Sequence, residues 1–218
     1  DGTLKVRSSN LDSLGSHLAN IIPRCCDVDV TVRTMAFECL ELLLTIGHIY
    51  QQDGRVPDEL PASLKRIRDL REQISTEDVG EQCTIVWGLA TSLSELLPGD
   101  ELAPLVRKLM TRAMDSQTET VSAAVVVLNA ILQGKGASMG QDVPELVQGL
   151  VKNLGVSENE QTVNGILHSF RTIATHHLEA VTEEILLQPL PHTEHVVMCI
   201  QVIGKSKGLV EPFLNYLV

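Results

Sequence analysis

The feature that most constrains this chain is a unit of two apolar-striped segments, divided by short turns, that recurs from end to end. In SNLDSLGSHLANIIP, Leu11, Leu14, Leu18, Ile21 and Ile22 fall at helical spacing, and Pro23 ends or kinks the segment. DVTVRTMAFECLELLLTIGHI follows, with an apolar stripe of Val32, Met35, Ala36, Cys39, Leu40 and Leu43 and with Asp29 placed to cap it. QQDGRVPDELP is polar and reads as a longer loop. PASLKRIRDLREQI then puts Leu64, Ile67, Leu70 and Ile74 on one face. The next stripe is Val79, Cys83, Val86, Trp87, Ala90, Leu93 and Leu97, broken by Pro98 to Asp100, and Asp100 is expected to cap the helix after it. Val121, Ala124, Val125, Leu128 and Leu132 precede the loop GKGASMG; Pro144 is then expected near a helix start, and Pro104 in the first turn of an earlier helix. Val163, Ile166, Leu167, Phe170 and Ile173 form the next stripe, and three shorter segments close the chain.

Paired in order, the second helices begin near Asp29, Thr76, Ser116, Glu158 and His192. They lie about forty residues apart, contracting at the last pair, close to the roughly 40–47-residue period of two-helix solenoid repeats. A lone hairpin cannot bury its stripe, so neighbours must stack into a continuous core. The expectation is an all-α solenoid of about five helical hairpins, a single array over residues 1–218, because no stretch serves as a linker between two domains.

Composition agrees. Aromatic residues are 3% of the sequence, so the core must be built from Leu, Val, Ile and Ala, the filling of packed helices. A net charge of −11 argues against nucleic acid or an anionic membrane as a general partner, since phosphate contacts need clustered Lys and Arg. The cysteines at 25, 26, 39, 83 and 199 are odd in number and irregularly spaced, and three fall within apolar stripes. That pattern points to a reducing, cytoplasmic setting. No apolar run is long enough to be a transmembrane segment. The sequence starts at Asp1 without a Met, which leads us to expect a piece of something longer.

Asp29, Val32, Arg33, Ala36 and Leu40 together resemble the second-helix signature of a HEAT repeat, which makes the expected hairpins HEAT-like. The resemblance implies that Asp29 caps the helix and pairs with an Arg in a ladder of ion pairs between repeats. Only the first hairpin keeps both residues, since Asp115 opens the third second helix with no Val-Arg after it. A longer resemblance runs through SAAVVVLNAILQGKG, VPELVQGLVKNL and ATHHLEAVTEEILLQPLP, which together are similar to the maestro heat-like repeat family. That resemblance implies a long HEAT-like array of which this chain is a segment, with no catalytic residues and no cofactor to carry over.

Candidate chemistry is thin. His176-His177 and the pair His192 and His195 are potential metal ligands, but no third ligand stands at a metal-site spacing, and capping or surface histidines are the simpler reading. Cys25-Cys26 lie where one helix meets the next, which suits packing better than redox chemistry. Gly134, Lys135, Gly136 and Gly140 match no phosphate-loop pattern and follow no strand. Lys65, Arg66, Arg68 and Arg71 form a basic run whose helical spacing predicts a cationic ridge, extended by Arg107, Lys108 and Arg112 of the next repeat. A ridge of this kind suits an acidic protein or a phosphoinositide in a peripheral membrane contact, against the default of a solvated face. The concave side is the other candidate surface, with Arg33, Glu38, Glu41, Glu81, Asn129, Asn164 and Arg171 expected on it. The functional expectation is a non-enzymatic scaffold that binds other proteins, with a structural spacer as the alternative and a metal-dependent enzyme a distant third. Leu217-Val218 and the apolar last helix lead us to expect a stacking face there, for a further repeat or for self-association.

Overall fold

The computed structural model describes residues 14–52, 59–76, 78–113 and 118–216, with only the backbone described at positions 79 and 118–122. Leu11, the middle of the long loop, Asp115, Ser116 and Leu217-Val218 fall outside these residues. Among the described residues there are eleven α-helices and no strand: α1 (Leu14–Ile21), α2 (Val30–Gln51), α3 (Ala62–Gln73), α4 (Val79–Leu96), α5 (Gly99–Arg112), α6 (Thr118–Lys135), α7 (Val143–Val156), α8 (Glu160–His176), α9 (Leu178–Leu186), α10 (Glu194–Gly204) and α11 (Val210–Tyr216). The helices make five hairpins, with α11 after the last.

The two helices of a hairpin start differently. Three first helices are led by proline, with Pro61 before α3, Pro98 before α5 and Pro144 in the first turn of α7. Proline suits that place because its missing N–H would have no intrahelical partner there. Four second helices, α2, α4, α8 and α10, are capped by a side chain that accepts from the free N–H groups of the first turn. Asp29 accepts from Thr31 N at 2.7 Å, Asp78 from Glu81 N at 2.9 Å, Asn159 from Gln161 N at 2.9 Å and Thr193 from Val196 N at 3.4 Å. The expected starts at Thr76, Glu158 and His192 thus shift by one or two residues onto the residue whose side chain caps. Asp100 is corrected as a cap: it lies inside the first turn of α5, where its charge faces the positive end of the helix.

The C-terminal hairpins stack in chain order. α5, α7 and α9 pack side by side in one row and α4, α6, α8 and α10 in the other. The first hairpin breaks that order. α1 packs on α5, while α2 packs on α3, so α1, α5, α6, α4, α3 and α2 close a circuit of packed neighbours. Inside it lies the 3-10 turn Ile22–Cys26 that Pro23 starts, touching α1, α2, α4 and α6, with Ile22, Pro23 and Cys25 buried. Gly15 permits the α1–α5 approach: a Cβ there would clash with the Glu101 carbonyl oxygen. One connected apolar core runs from Leu14 to Phe213.

Hydrogen bonds between hairpins repeat the period found in the sequence. Arg33 Nε donates to Ile74 O at 3.2 Å, Asn153 Nδ2 to Met110 O at 2.9 Å, Asn129 Nδ2 to Gly165 O at 3.1 Å and Ser169 Oγ to Asn129 Oδ1 at 2.6 Å. His177 Nε2 meets Gly136 O at 2.8 Å. Partners in these bonds are 36 to 43 residues apart, one repeat, so polar side chains tie the first hairpin to the second and the third to the fourth.

Candidate interaction surface

α2 carries two apolar stripes. The inward one is Ala36, Phe37, Leu40, Leu44 and Gly47, joined by Arg33. The outward one is Val32, Met35, Cys39, Leu42 and Ile46, spaced three and four residues apart and continued by Tyr50. The single stripe expected from the sequence mixed the two. Of its members, Ala36 and Leu40 are buried and Leu43 half-buried, while Val32, Met35 and Cys39 face solvent. Periodicity alone could not separate them, because α2 is apolar around most of its circumference; the arc that turns inward is the one that carries Arg33 and Phe37. Met35 is 60% and Leu42 62% exposed. Seven of the fifteen exposed large apolar side chains among the described residues lie between Val28 and Tyr50, and five of them, Val32, Met35, Leu42, Ile46 and Tyr50, share the outward face of α2.

Arg33 is expected on an open concave face and is instead 4% exposed. Its guanidinium donates to four carbonyls: Asp27 at 2.8 Å, Val28 at 3.0 Å, Ile74 at 3.2 Å and Thr76 at 3.3 Å. It therefore fastens the start of α2 to the turn between α3 and α4. Asp29 keeps the capping role the HEAT resemblance implies, and hydrogen bonds from Thr31 hold its carboxyl below the usual carboxylate range. Arg33 addresses backbone carbonyls rather than a neighbouring carboxylate, so the inter-repeat link of this hairpin is a fork of hydrogen bonds. Val32 lies on the outward stripe, and Ala36 and Leu40 in the core.

The basic run divides into separate ion pairs. Arg68 and Arg71 both hold Glu41 of α2, at 2.7 and 3.2 Å; Arg66 pairs with Glu95, which also accepts from Ser63 at 2.6 Å; Lys65 lies 3.7 Å from Glu59. On α5, Arg107 bridges Asp142 at 2.8 Å and Glu145 at 2.7 Å, Arg112 donates to Asn20 of α1 at 2.8 Å, and Lys108 is exposed. α3 is flanked by α2 and α4, and α5 by α1, α6 and α7, so the seven cations do not form one ridge. Most of their charge is answered within the fold.

The remaining candidates are structural where they are placed. His177 ties the end of α8 to Gly136, and His176 and His195 pack beside Gly136 and Gly155. Among the described residues no three His, Cys, Asp or Glu side chains are arranged to hold a metal ion. Cys25 and Cys199 are buried, Cys26 is half-buried, and Cys39 and Cys83 are exposed, which corrects their expected place within a buried stripe. Burial pushes the Cys25 thiol well up and those of Cys26 and Cys199 to about 12, so these three stay protonated and unreactive. Gly134 lies in the last turn of α6, and Gly136 and Gly140 lie in 3-10 turns. Of the residues expected on the concave face, Glu38, Glu81, Asn164 and Arg171 are exposed, Glu41 is largely covered, and Asn129 is buried between α6 and α8. Trp87, expected in the α4 stripe, is 39% exposed. Sequence reasoning missed Asn129, Asn153 and Ser169 as inter-repeat links. The available signal was a polar residue inside an otherwise apolar helical arc.

Comparisons with known proteins place the chain. A family model described as "Maestro, HEAT repeats" matches residues 4–212. Maestro heat-like repeat-containing protein family member 1 of Dictyostelium discoideum is 32% identical over 212 residues, covering 95% of this chain and 13% of the relative. The Homo sapiens protein of that name is 26% identical over 206 residues, 94% of this chain and 12% of the relative. Human family member 2A is 23% identical over 210 residues, covering 95% and 12%. The chain thus spans about an eighth of the length of the curated relatives it matches. No solved structure matches it. A matched family model over nearly the whole chain and a helical-hairpin array with one-repeat hydrogen-bond links lead to one conclusion: the chain belongs to the Maestro HEAT repeat family.

Proposed function

We propose that this chain is a non-enzymatic interaction scaffold that works through the outward stripe of α2. The observation that carries the reading is the patch of Val32, Met35, Leu42, Ile46 and Tyr50, between 37% and 62% exposed on a single helix. Monomeric proteins seldom leave a contiguous apolar patch larger than ~300–600 Å² open, and those that do commonly use it for binding. The working protein takes no cofactor, and its five free thiols favour a reducing cytoplasm. A protein partner suits the apolar patch better than a phosphoinositide does, because the basic residues of α3 already face carboxylates.

A structural spacer is the second reading, favoured by the unbroken core from Leu14 to Phe213 and by the small share of the relatives' length that this chain fills. The two separate in one experiment. Met35→Gln and Leu42→Glu are introduced together, and the proteins recovered with the intact parent are quantified by mass spectrometry. A scaffold loses a defined set of partners, while a spacer keeps the same set.

A further inference from the structure

Resting on the reading of α2 as an interaction surface, we infer that its occupant is a second copy of this chain, laid antiparallel across α2 about a two-fold axis. The stripe is self-complementary in that direction. With the axis level with the Leu40–Glu41 peptide bond, Cys39 faces Leu42 of the second copy, Met35 faces Ile46, and Val32 faces Ile49. Each pair is apolar, and Cys39, Met35, Leu42, Ile46 and Val32 are all exposed in the single chain. Spacing of three and four residues is the pattern that packs two helices at a shallow crossing angle of about 20°. α2 has 22 residues, which gives a contact line of about 33 Å at 1.5 Å per residue.

The flanks are compatible with self-pairing. One side of the stripe carries Thr31, Glu38 and Thr45, so Glu38 is its single charge. In this register the two Glu38 residues are offset by about 7 Å along the axis, five residues of helical rise, and each lies nearest Thr45 of the second copy. Glu41, farther round the same flank, is already paired with Arg68 and Arg71. Val32, Met35, Leu42, Ile46 and Tyr50, between 37% and 62% exposed on one face, are the apolar surface each copy brings toward the ~800 Å² a partner contributes to a standard interface. An isologous two-fold contact is also the commonest way in which one patch satisfies itself. Each chain carries a net charge of −11, so salt that screens this repulsion tightens the pair.

The test is the mass of the purified chain by light scattering across a concentration series, with helicity followed by circular dichroism. The expected result is a concentration-dependent shift from the 23.8 kDa chain to twice that mass, strengthened by salt. Leu42→Glu and Cys39→Lys, both at exposed positions, each weaken the dimer by roughly 30-fold or more, the loss typical of a central interface residue, and leave helicity unchanged. Mixing the two variants restores a dimer, because in the antiparallel register position 42 of one chain faces position 39 of the other. A chain that stays monomeric at every concentration, a dimer indifferent to Leu42→Glu, or a mixture that fails to re-pair each overturns the inference. If the chain is monomeric while the Met35 and Leu42 substitutions still remove partners from the parent protein, α2 stands as an interaction surface whose occupant is another protein. If it dimerises through α2 and the partner set is unchanged, the self-pairing stands and the broader scaffold reading falls.

Discussion

Arg33 shows what a single residue contributes here. Its fork of donors meets carbonyls on both sides of the first inter-hairpin junction, and a lysine in its place has neither the planar geometry nor enough directed donors to meet all four. Arg33→Lys is therefore expected to lower unfolding free energy by about 2–4 kcal/mol, through buried carbonyls left without partners. Urea denaturation measures it, and a loss below about 0.5 kcal/mol, the range of ordinary surface substitutions, contradicts the assignment. The thiols give a second check at this scale. Native protein at pH 8 is expected to react promptly with a thiol reagent at exposed Cys39 and Cys83, while Cys25, Cys26 and Cys199, raised by burial, react only after unfolding. Prompt reaction of all five in the folded chain rules that out. The sequence signature around Asp29 was legible as a cap because a cap is a local event. The destination of Arg33 was not, since its acceptors at Ile74 and Thr76 lie one repeat away.

At the level of helices, hairpin number and spacing were legible because stripes, prolines and capping residues recur locally. Which arc of a helix turns inward was legible only where the helix has one apolar face. α7, with Val143, Leu146, Val147, Leu150 and Leu154 buried on one side, is such a helix; α2 is not. The order of stacking was also hidden, because nothing in α1 itself states that it packs on α5 in place of α3. Gly15 is the point where that packing can be tested. Its amide donates to Glu101 Oε2 at 2.8 Å, and a methyl group there meets the backbone of α5. Gly15→Ala is expected to destabilise the fold by about 1–3 kcal/mol, as overpacking does, although alanine is the better helix former. A neutral or stabilising result in thermal unfolding means α1 does not lie against α5.

At the scale of the molecule, the array resolves into one continuous core with polar links at the repeat period, and its surface charge is largely paired within the fold where cations cluster. The α2 stripe stands apart from that pattern, an apolar face left open on a chain of net charge −11. Hydroxyl-radical footprinting of Met35 tests its role most directly, since this side chain is 60% exposed on the stripe and oxidises readily when accessible. The modification rate is measured in the dilute isolated chain and again in the assembled state, whether self-paired or bound to a partner. Engagement through α2 predicts a several-fold fall in the rate at Met35 on assembly. An unchanged rate at Met35 in a demonstrably assembled sample contradicts α2 as the interaction surface.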